Sequence, residues 1–157
     1  MKTRRRRLAR WSYRLRKLAS LPGGELLDLL VAQTALLRAL WLVRTRAVGA
    51  LLRPVAESTE RALSPLDEAR LQRLALAIER AAEHGLFRAT CLVRAVALED
   101  LIRRSRATGA VVRIGVLPAG GKLLAHAWIE YGGRVLADRP ERVRQFTVLH
   151  DFTAFSR

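Results

Sequence analysis

The sequence predicts an α+β fold in which helices come first and an antiparallel sheet follows. Half of the 157 residues are hydrophobic, which is enough to bury a core in a chain of single-domain length. Hydrophobic residues recur at helical spacing before Gly109 and with a period of two after it. This composition argues against a disordered basic protein, because such chains lack the apolar residues that offset the loss of chain entropy.

The positive charge is concentrated near the start of the chain. The formal net charge is +15 in total and +11 within residues 1–53, and residues 2–17 contain nine cations and no acid. Such a cluster suits nucleic-acid phosphates, acidic peptides and anionic lipid surfaces equally well. The charge alone therefore does not select a partner. The simplest interpretation of the cluster is a solvated face.

The most hydrophobic stretch, residues 25–52, follows this basic cluster. Four charged residues interrupt it before it reaches the roughly 18 uncharged residues of a membrane-spanning helix. It is also too long and too late for a signal peptide, and it lacks a small-residue cleavage site. We therefore expect one or two amphipathic helices between a Pro-Gly-Gly break at residues 22–24 and Pro54. Residues 1–56 are assigned to this basic helical region.

A third predicted helix begins near residue 64. Ser64 is a suitable N-cap, with Pro65 at the first helical position and Asp67 three residues past the cap. Apolar residues recur at helical spacing from there to Gly85, which is expected to end the helix.

The next predicted helix carries the single cysteine at its start. Thr90 is a suitable N-cap, so Cys91 falls in the first turn of a helix that Gly109 is expected to close. Unpaired N–H groups at a helix N-terminus stabilise a thiolate and can receive a developing oxyanion. A lone cysteine among apolar neighbours is otherwise usually a small core residue. It cannot form an internal disulfide, which favours a reducing cytoplasm.

Beyond Gly109 the sequence alternates with the period of β-strands joined by glycine-containing turns. Consecutive antiparallel strands are predicted over residues 110–117, 123–130 and 134–138, with turns at 118–121 and 131–133. Residues 146–149 are expected to add a short edge strand, and residues 151–157 to form a tail.

The turn at residues 131–133 decides which residues face each other across its two strands. A two-residue glycine loop would place His126 and Asp138 on opposite faces of the sheet. A three-residue loop pairs Glu130 with Arg134 and His126 with Asp138, and it leaves the apolar residues on one face. We therefore expect the three-residue loop, with His126 and Asp138 as direct cross-strand neighbours.

Four short motifs occur in a specific order and structural context. They are Cys91-Leu92-Val93-Arg94 opening a helix, Ile114-Gly115-Val116 in a strand, His126-Ala127-Trp128-Ile129-Glu130 in the next strand, and Val135-Leu136-Ala137-Asp138 after it. Together they resemble the transglutaminase-like lasso-peptide leader peptidases, the standalone counterparts of the C-terminal half of the fused maturation protease. The resemblance spans about residues 64–150, and the N-terminal helices match only in character.

The resemblance implies a papain/transglutaminase-like core over residues 57–157, with the cysteine helix packed on the antiparallel sheet. Carried over by position, Cys91 is the nucleophile, His126 is the general base and then acid, and Asp138 holds the imidazole tautomer. No cofactor and no metal ion are implied, and no Cys/His cluster with zinc spacing is present in the sequence. The side-chain oxyanion donor is unassigned, because no glutamine lies a few residues ahead of Cys91.

The function implied by the resemblance is removal of the leader from a ribosomally made lasso precursor peptide, whose leader is the substrate. A separate, ATP-dependent lasso cyclase of the asparagine-synthetase type then closes the ring. Nothing in the chain resembles the small domain that recognises leaders, so a separate leader-recognition protein is implied. The basic N-terminal helices are the surface expected to dock it, and loose membrane association through them is compatible with proteolysis.

Several other polar or aromatic residues have simpler interpretations. His150 is the rival base and Asp151 the rival orienting carboxylate, but an edge strand or tail has no partner strand to place them. His84 is expected to lie in solvent beside a helix end, Trp128 to form a wall near the site, and Arg94 to lie on a helix surface.

Three other function classes stay open. The basic composition suggests nucleic-acid binding, but the basic stretch has few aromatic residues and no DNA-binding motif, so we expect no nucleic-acid partner. Arginine-flanked amphipathic helices suggest a peripheral membrane or interaction protein. A transglutaminase-like acyl transferase would use the same triad, because the acyl thioester is common to hydrolysis and transfer.

Overall fold

The computed structural model describes residues 23–47, 52–54, 65–105 and 109–153. Three predicted features lie outside these ranges: the basic cluster at residues 2–17, the Ser64 N-cap and the domain boundary at residue 56. They stay predictions.

The described helices are α1 (Gly23–Thr45), α2 (Pro65–His84), α3 (Cys91–Arg104) and α4 (Pro140–Val143). The predicted end of α2 is confirmed, since the Gly85 N–H donates to the Ala81 carbonyl at 2.9 Å. The predicted end of α3 is wrong. This helix ends at Arg104 with Ser105 as its C-cap, and Gly109 lies directly before the sheet with a φ of 97°.

Within the described ranges, five antiparallel strands form one sheet in the order β1-β5-β2-β3-β4. They are β1 (Arg53–Pro54), β2 (Ala110–Ala119), β3 (Lys122–Tyr131), β4 (Arg134–Leu136) and β5 (Thr147–Thr153). The three consecutive strands predicted after Gly109 are confirmed as β2, β3 and β4. The predicted edge strand and tail are wrong in detail, because β5 continues to Thr153 and lies between β1 and β2.

The register between β3 and β4 differs from the prediction. Tyr131 pairs with Arg134, so the loop between them has two residues. Both loop residues are glycines with left-handed backbone, at φ values of 55° and 72°, which suits the tight turn of an antiparallel pair. The expected three-residue loop is therefore wrong, and so is the direct cross-strand pairing of His126 with Asp138.

The three long helices and the sheet share one hydrophobic core. Leu36 of α1, Ile78 of α2 and Leu98 of α3 are fully buried in it, and β2 and β3 contribute Val112 and Ile129. Burying one such side chain stabilises the fold by about 1.5–3 kcal/mol relative to exposure. This packing fixes α3 against the sheet and so places the start of α3 beside β3.

α1 is a single helix with apolar side chains on both its buried and its exposed face. The large hydrophobic residues on its exposed face are Leu27, Leu30, Val31, Leu37 and Trp41. By length and composition alone α1 could cross a membrane, although the core helix of a soluble protein passes the same test. The prediction that this segment does not span a membrane stays a prediction.

Candidate active site

The N-terminus of α3 presents the Cys91 thiol. Thr90 has an extended backbone, and its hydroxyl accepts a hydrogen bond from the Val93 N–H at 3.4 Å, as an N-cap does. The half-buried Cys91 is therefore the first helical residue, next to the N–H groups that have no partner within the helix. The Leu92 N–H hydrogen-bonds the thiol. The predicted cap and the predicted place of the cysteine are both confirmed.

β3 brings His126 to this thiol at the edge of the sheet. β4 pairs with β3 only over residues 129–131, so the preceding part of β3 has no β4 neighbour. There the Ala127 N–H and the side chain of His126 both hydrogen-bond Cys91. The side chain of His126 is 7 % exposed, so its packing restricts the orientation of the ring.

A left-handed residue directs Asp138 toward His126. Ala137 follows β4 and has a φ of 55°, a conformation that costs a residue with a Cβ atom roughly 1–2 kcal/mol. The chain thereby leaves strand geometry, and Oδ2 of Asp138 lies 2.5 Å from Nε2 of His126. Oδ1 of the same carboxylate accepts the Arg139 N–H at 2.7 Å. The pair expected from the sequence is therefore in contact, although the hairpin register that suggested it is not the one observed.

Cys91, His126 and Asp138 form a continuous hydrogen-bonded series. Because Asp138 occupies Nε2 of His126, Nδ1 is the ring nitrogen available to the thiol. The hydrogen bond from His126 lowers the pKa of the Cys91 thiol, although burial acts against it. The hydrogen bond to Cys91 raises the pKa of His126, with further support from Asp138 and with burial acting against it. Both shifts favour a thiolate paired with an imidazolium.

One cavity adjoins this series, and a second lies on the far side of two of its walls. One of about 140 Å³ is lined by all three residues together with Arg94 and by Trp128. The other, of about 650 Å³, lies beyond Trp128 and Leu136, which are walls of both cavities. Trp128 is therefore a wall of the site, as predicted. Arg94, expected on the helix surface, is half-buried on α3 and lines the smaller cavity.

Comparison with protein families matches residues 33–151 to the transglutaminase-like superfamily. The chain belongs to the transglutaminase-like superfamily. Searches of curated proteins and of solved structures return no match. The transglutaminase-like fold is consistent with a cysteine peptidase or an acyltransferase. The matched region includes the second half of α1, and the predicted division of the chain at residue 56 stays a prediction.

In the transglutaminase-like domain, His84 and the two rival residues, His150 and Asp151, lie away from this site. His84 is exposed at the end of α2, with Nε2 3.9 Å from a carboxylate oxygen of Glu83. His150 and Asp151 lie in β5, where they pair with Ile114 and Arg113 of β2. β2 thus separates them from the strand that carries His126. Within the described part of the chain, no group of three or more His, Cys, Asp or Glu residues could hold a metal ion.

Three contributors to the transglutaminase-like site were not predicted from the sequence. Ala127 acts through its backbone N–H, which any residue other than proline could supply. Phe146, in the turn between α4 and β5, contacts the His126 ring, with centroids 5.1 Å apart. Glu130 accepts a hydrogen bond from Trp128. Glu130 lies two residues after Trp128, so the two side chains share one face of the strand. This spacing was the one signal in the sequence for their contact.

Proposed function

We propose that this protein is a cysteine peptidase that removes the leader from a ribosomally synthesised lasso precursor peptide. The observation that carries the proposal is the hydrogen-bonded series of Cys91, His126 and Asp138 at a helix N-terminus. A nucleophilic thiol needs a base within hydrogen-bond reach, and that base needs a group that orients it. The superfamily supports the chemistry, and the four short motifs support the substrate class.

In the proposed reaction, the Cys91 thiolate attacks the carbonyl carbon of the scissile peptide bond. The Cys91 N–H donates to the developing oxyanion. Protonated His126 gives its Nδ1 proton to the leaving amine as the C–N bond breaks, which leaves the leader as an acyl thioester on Cys91. His126 then takes a proton from a water molecule that attacks the thioester. The thiolate leaves, and one water has been consumed for each bond cut.

Asp138 has an orienting role in this proposal. It accepts a hydrogen bond from Nε2 of His126, so the other ring nitrogen faces the thiol in every step. The cavities on the two sides of Trp128 support an extended substrate such as a peptide.

Partners and location are part of the same proposal. The substrate is the leader of the precursor peptide, presented by a separate leader-recognition protein, and the product passes to the asparagine-synthetase-like cyclase. Residues 2–17 and the exposed side of α1 are proposed as the docking surface. The reaction is placed in the cytoplasm, where a free thiol stays reduced.

The test uses the full chain with the precursor peptide encoded nearby and the corresponding leader-recognition protein. We expect two products in the mass spectrum whose masses together equal that of the precursor plus one water. The matched control is Cys91→Ala, which should leave the precursor intact. Failure of the wild-type chain to cleave with every partner folded and present would contradict the peptidase proposal.

Acyl transfer is the alternative favoured by the same thioester intermediate. Repeating the reaction with a high concentration of methylamine distinguishes the two activities. A peptidase releases the leader mainly as a free carboxylate, whereas a transferase releases it mainly as the methylamide. A product that forms only in the presence of the amine would replace the peptidase proposal with acyl transfer.

A further inference from the structure

Two aromatic rings pack against the imidazole of His126. Trp128 lies two residues along the same face of β3, with ring centroids 6.0 Å apart and ring planes 22° from parallel. Phe146 approaches with centroids 5.1 Å apart at 36°. The imidazole must keep one nitrogen toward Cys91 and the other toward Asp138, so the rings that flank it restrict the rotation that would break this arrangement.

Glu130 in turn holds the Trp128 indole. The Trp128 side chain is buried, and its Nε1–H donates to Oε1 of Glu130 at 2.8 Å. The second carboxylate oxygen of Glu130 lies 3.3 Å from Nη1 of Arg113 on the neighbouring strand. A buried indole N–H needs an acceptor, and this carboxylate is held in place by a partner of its own. The hydrogen bond to Glu130 and the packing against His126 therefore both fix the orientation of the indole.

Gly115 leaves the space that the indole ring occupies. It pairs with His126 across the sheet, on the face that also carries Trp128. A Cβ atom at this position would lie 2.9 Å from Cη2 of Trp128 and 2.9 Å from Cβ of Phe146. A side chain there would displace both rings that flank the imidazole. Gly115 thus leaves room for the Trp128 indole, and Glu130 accepts its hydrogen bond. Both residues determine where this ring lies.

We propose that Glu130 is a positioning residue: by accepting the Trp128 indole N–H, it holds the ring that packs on His126 and so keeps the imidazole aimed at the Cys91 thiol. The inference rests on the proposed roles of Cys91 and His126. Glu130 does not reach the reacting atoms. It acts through Trp128.

Other charged groups lie near the imidazole or near Glu130 and must be kept constant in any test. Asp138 contacts it directly. Arg94 of α3 and Arg142 of α4 line the cavity beside it, and Arg113 of β2 contacts Glu130. Substitutions at Glu130, Trp128 and Glu141 leave all four of these residues unchanged.

The experiment measures the pH dependence of Cys91 alkylation by iodoacetamide in the full chain, which requires no substrate. In Glu130→Leu the indole loses its acceptor, and in Trp128→Phe the ring stays aromatic but has no N–H to hold. We expect both variants to move the alkylation midpoint toward that of an ordinary thiol and to slow alkylation below the midpoint by about tenfold for each pKa unit. The double variant should add little, because both changes remove the same contact.

Glu130→Gln separates positioning from charge. Its amide oxygen can accept the same indole N–H, so we expect the wild-type midpoint to be retained. Glu141→Leu is the matched control, since Glu141 is an exposed residue of α4 outside the aromatic cluster, and it should leave the midpoint in place. Thermal unfolding of each variant confirms that the alkylated protein is folded.

The possible outcomes separate this inference from the proposed function. A low wild-type midpoint that Glu130→Leu and Trp128→Phe leave in place contradicts the positioning role alone. A midpoint in Glu130→Gln as high as in Glu130→Leu also contradicts it, because charge rather than hydrogen bonding would then be responsible. A wild-type midpoint equal to that of an ordinary thiol contradicts the proposed function itself.

Discussion

Nε2 of His126 lies 2.5 Å from Oδ2 of Asp138, while the other oxygen of that carboxylate accepts the Arg139 N–H. Because both oxygens have partners, the carboxylate cannot rotate without losing a hydrogen bond. The imidazole is therefore held with Nδ1 toward Cys91, which is the orientation that a base for this thiol requires.

The proposed roles of His126 and Asp138 predict unequal losses of activity. His126→Ala removes the proton acceptor of the thiol and the proton donor of the leaving amine, so kcat/KM should fall by about 10³-fold to 10⁴-fold, nearly as far as in the cysteine variant. Asp138→Asn keeps the shape but permits the wrong tautomer, and a loss that is large yet smaller than that of His126→Ala is expected. The double variant should be little worse than His126→Ala alone.

The control for this series is Asp151→Asn, which changes the rival carboxylate in β5. We expect it to retain activity close to that of the wild type. A severe loss in Asp151→Asn together with a silent Asp138→Asn would show that the third member of the triad is misassigned, while leaving the pair of Cys91 and His126 intact.

The Cys91 thiol should be the reactive group of the native protein. We expect Cys91→Ala and Cys91→Ser to abolish peptide cleavage while the unfolding temperature changes little, since the thiol is only half-buried. In the wild-type chain, iodoacetamide should modify Cys91 at neutral pH faster than it modifies free cysteine. Modification only after denaturation would identify Cys91 as a core residue.

The opposite pKa shifts of Cys91 and His126 predict a bell-shaped pH profile of kcat/KM. The pKa of Cys91 is lowered, so the thiolate forms as pH rises through a value below the ordinary thiol pKa. The pKa of His126 is raised, so the imidazolium persists above the usual histidine pKa and is lost at higher pH. Activity should therefore be maximal between these two pKa values. In His126→Ala the residual alkylation of Cys91 should shift toward the ordinary thiol pKa.

Thr90 should contribute to the stability of α3. Thr90→Ala removes the hydroxyl that accepts the Val93 N–H and should reduce the free energy of unfolding by about 1 kcal/mol. Thr90→Ser keeps the hydroxyl and serves as the matched control. Chemical denaturation of the three proteins provides the measurement, and equal stability of Thr90→Ala and Thr90→Ser would exclude the capping contribution.

The basic segment ahead of α1 should act in recognition rather than in chemistry. Deleting residues 1–20 is expected to raise KM for the leader peptide or weaken binding of the partner protein, and to leave alkylation of Cys91 unchanged. Replacing Arg4, Arg5, Arg6 and Arg7 with glutamine tests the charge at constant length. Loss of thiol reactivity in the deletion variant would instead make this segment part of the catalytic fold.

Local signals in the sequence predicted the helix that begins at Cys91. Thr90 has an N-capping side chain, and the apolar spacing after Cys91 is helical, so the start of α3 depends on neighbours close in sequence. The alternation after Gly109 likewise predicted the strand that carries His126. These elements were predictable because their causes lie within a few residues of them.

The route that brings Asp138 to His126 could not be predicted in this way. The expected cross-strand pair of Glu130 with Arg134 favoured a three-residue loop, but Glu130 pairs in the sheet with Val135 and uses its side chain on Trp128 and Arg113. The left-handed conformation of Ala137 has no signal in the sequence either, since alanine rarely adopts it. The two-residue loop changes the register, and the left-handed Ala137 then turns the chain. Together they bring His126 and Asp138 into the contact that the three-residue loop was expected to give.

The short β3–β4 hairpin also has a consequence for the order in which the protein acquires activity. His126 and Asp138 are 12 residues apart and are joined by a tight turn, and hairpins of this kind close in about 1–10 μs. Cys91 belongs to a helix whose position depends on the packing of three helices on the sheet, which requires contacts between distant parts of the chain. The contact between His126 and Asp138 is thus local in sequence, whereas the contact between Cys91 and His126 depends on the packing of the whole domain. Under the proposed function, activation of the thiol therefore requires that α3 dock against the sheet and bring Cys91 to His126.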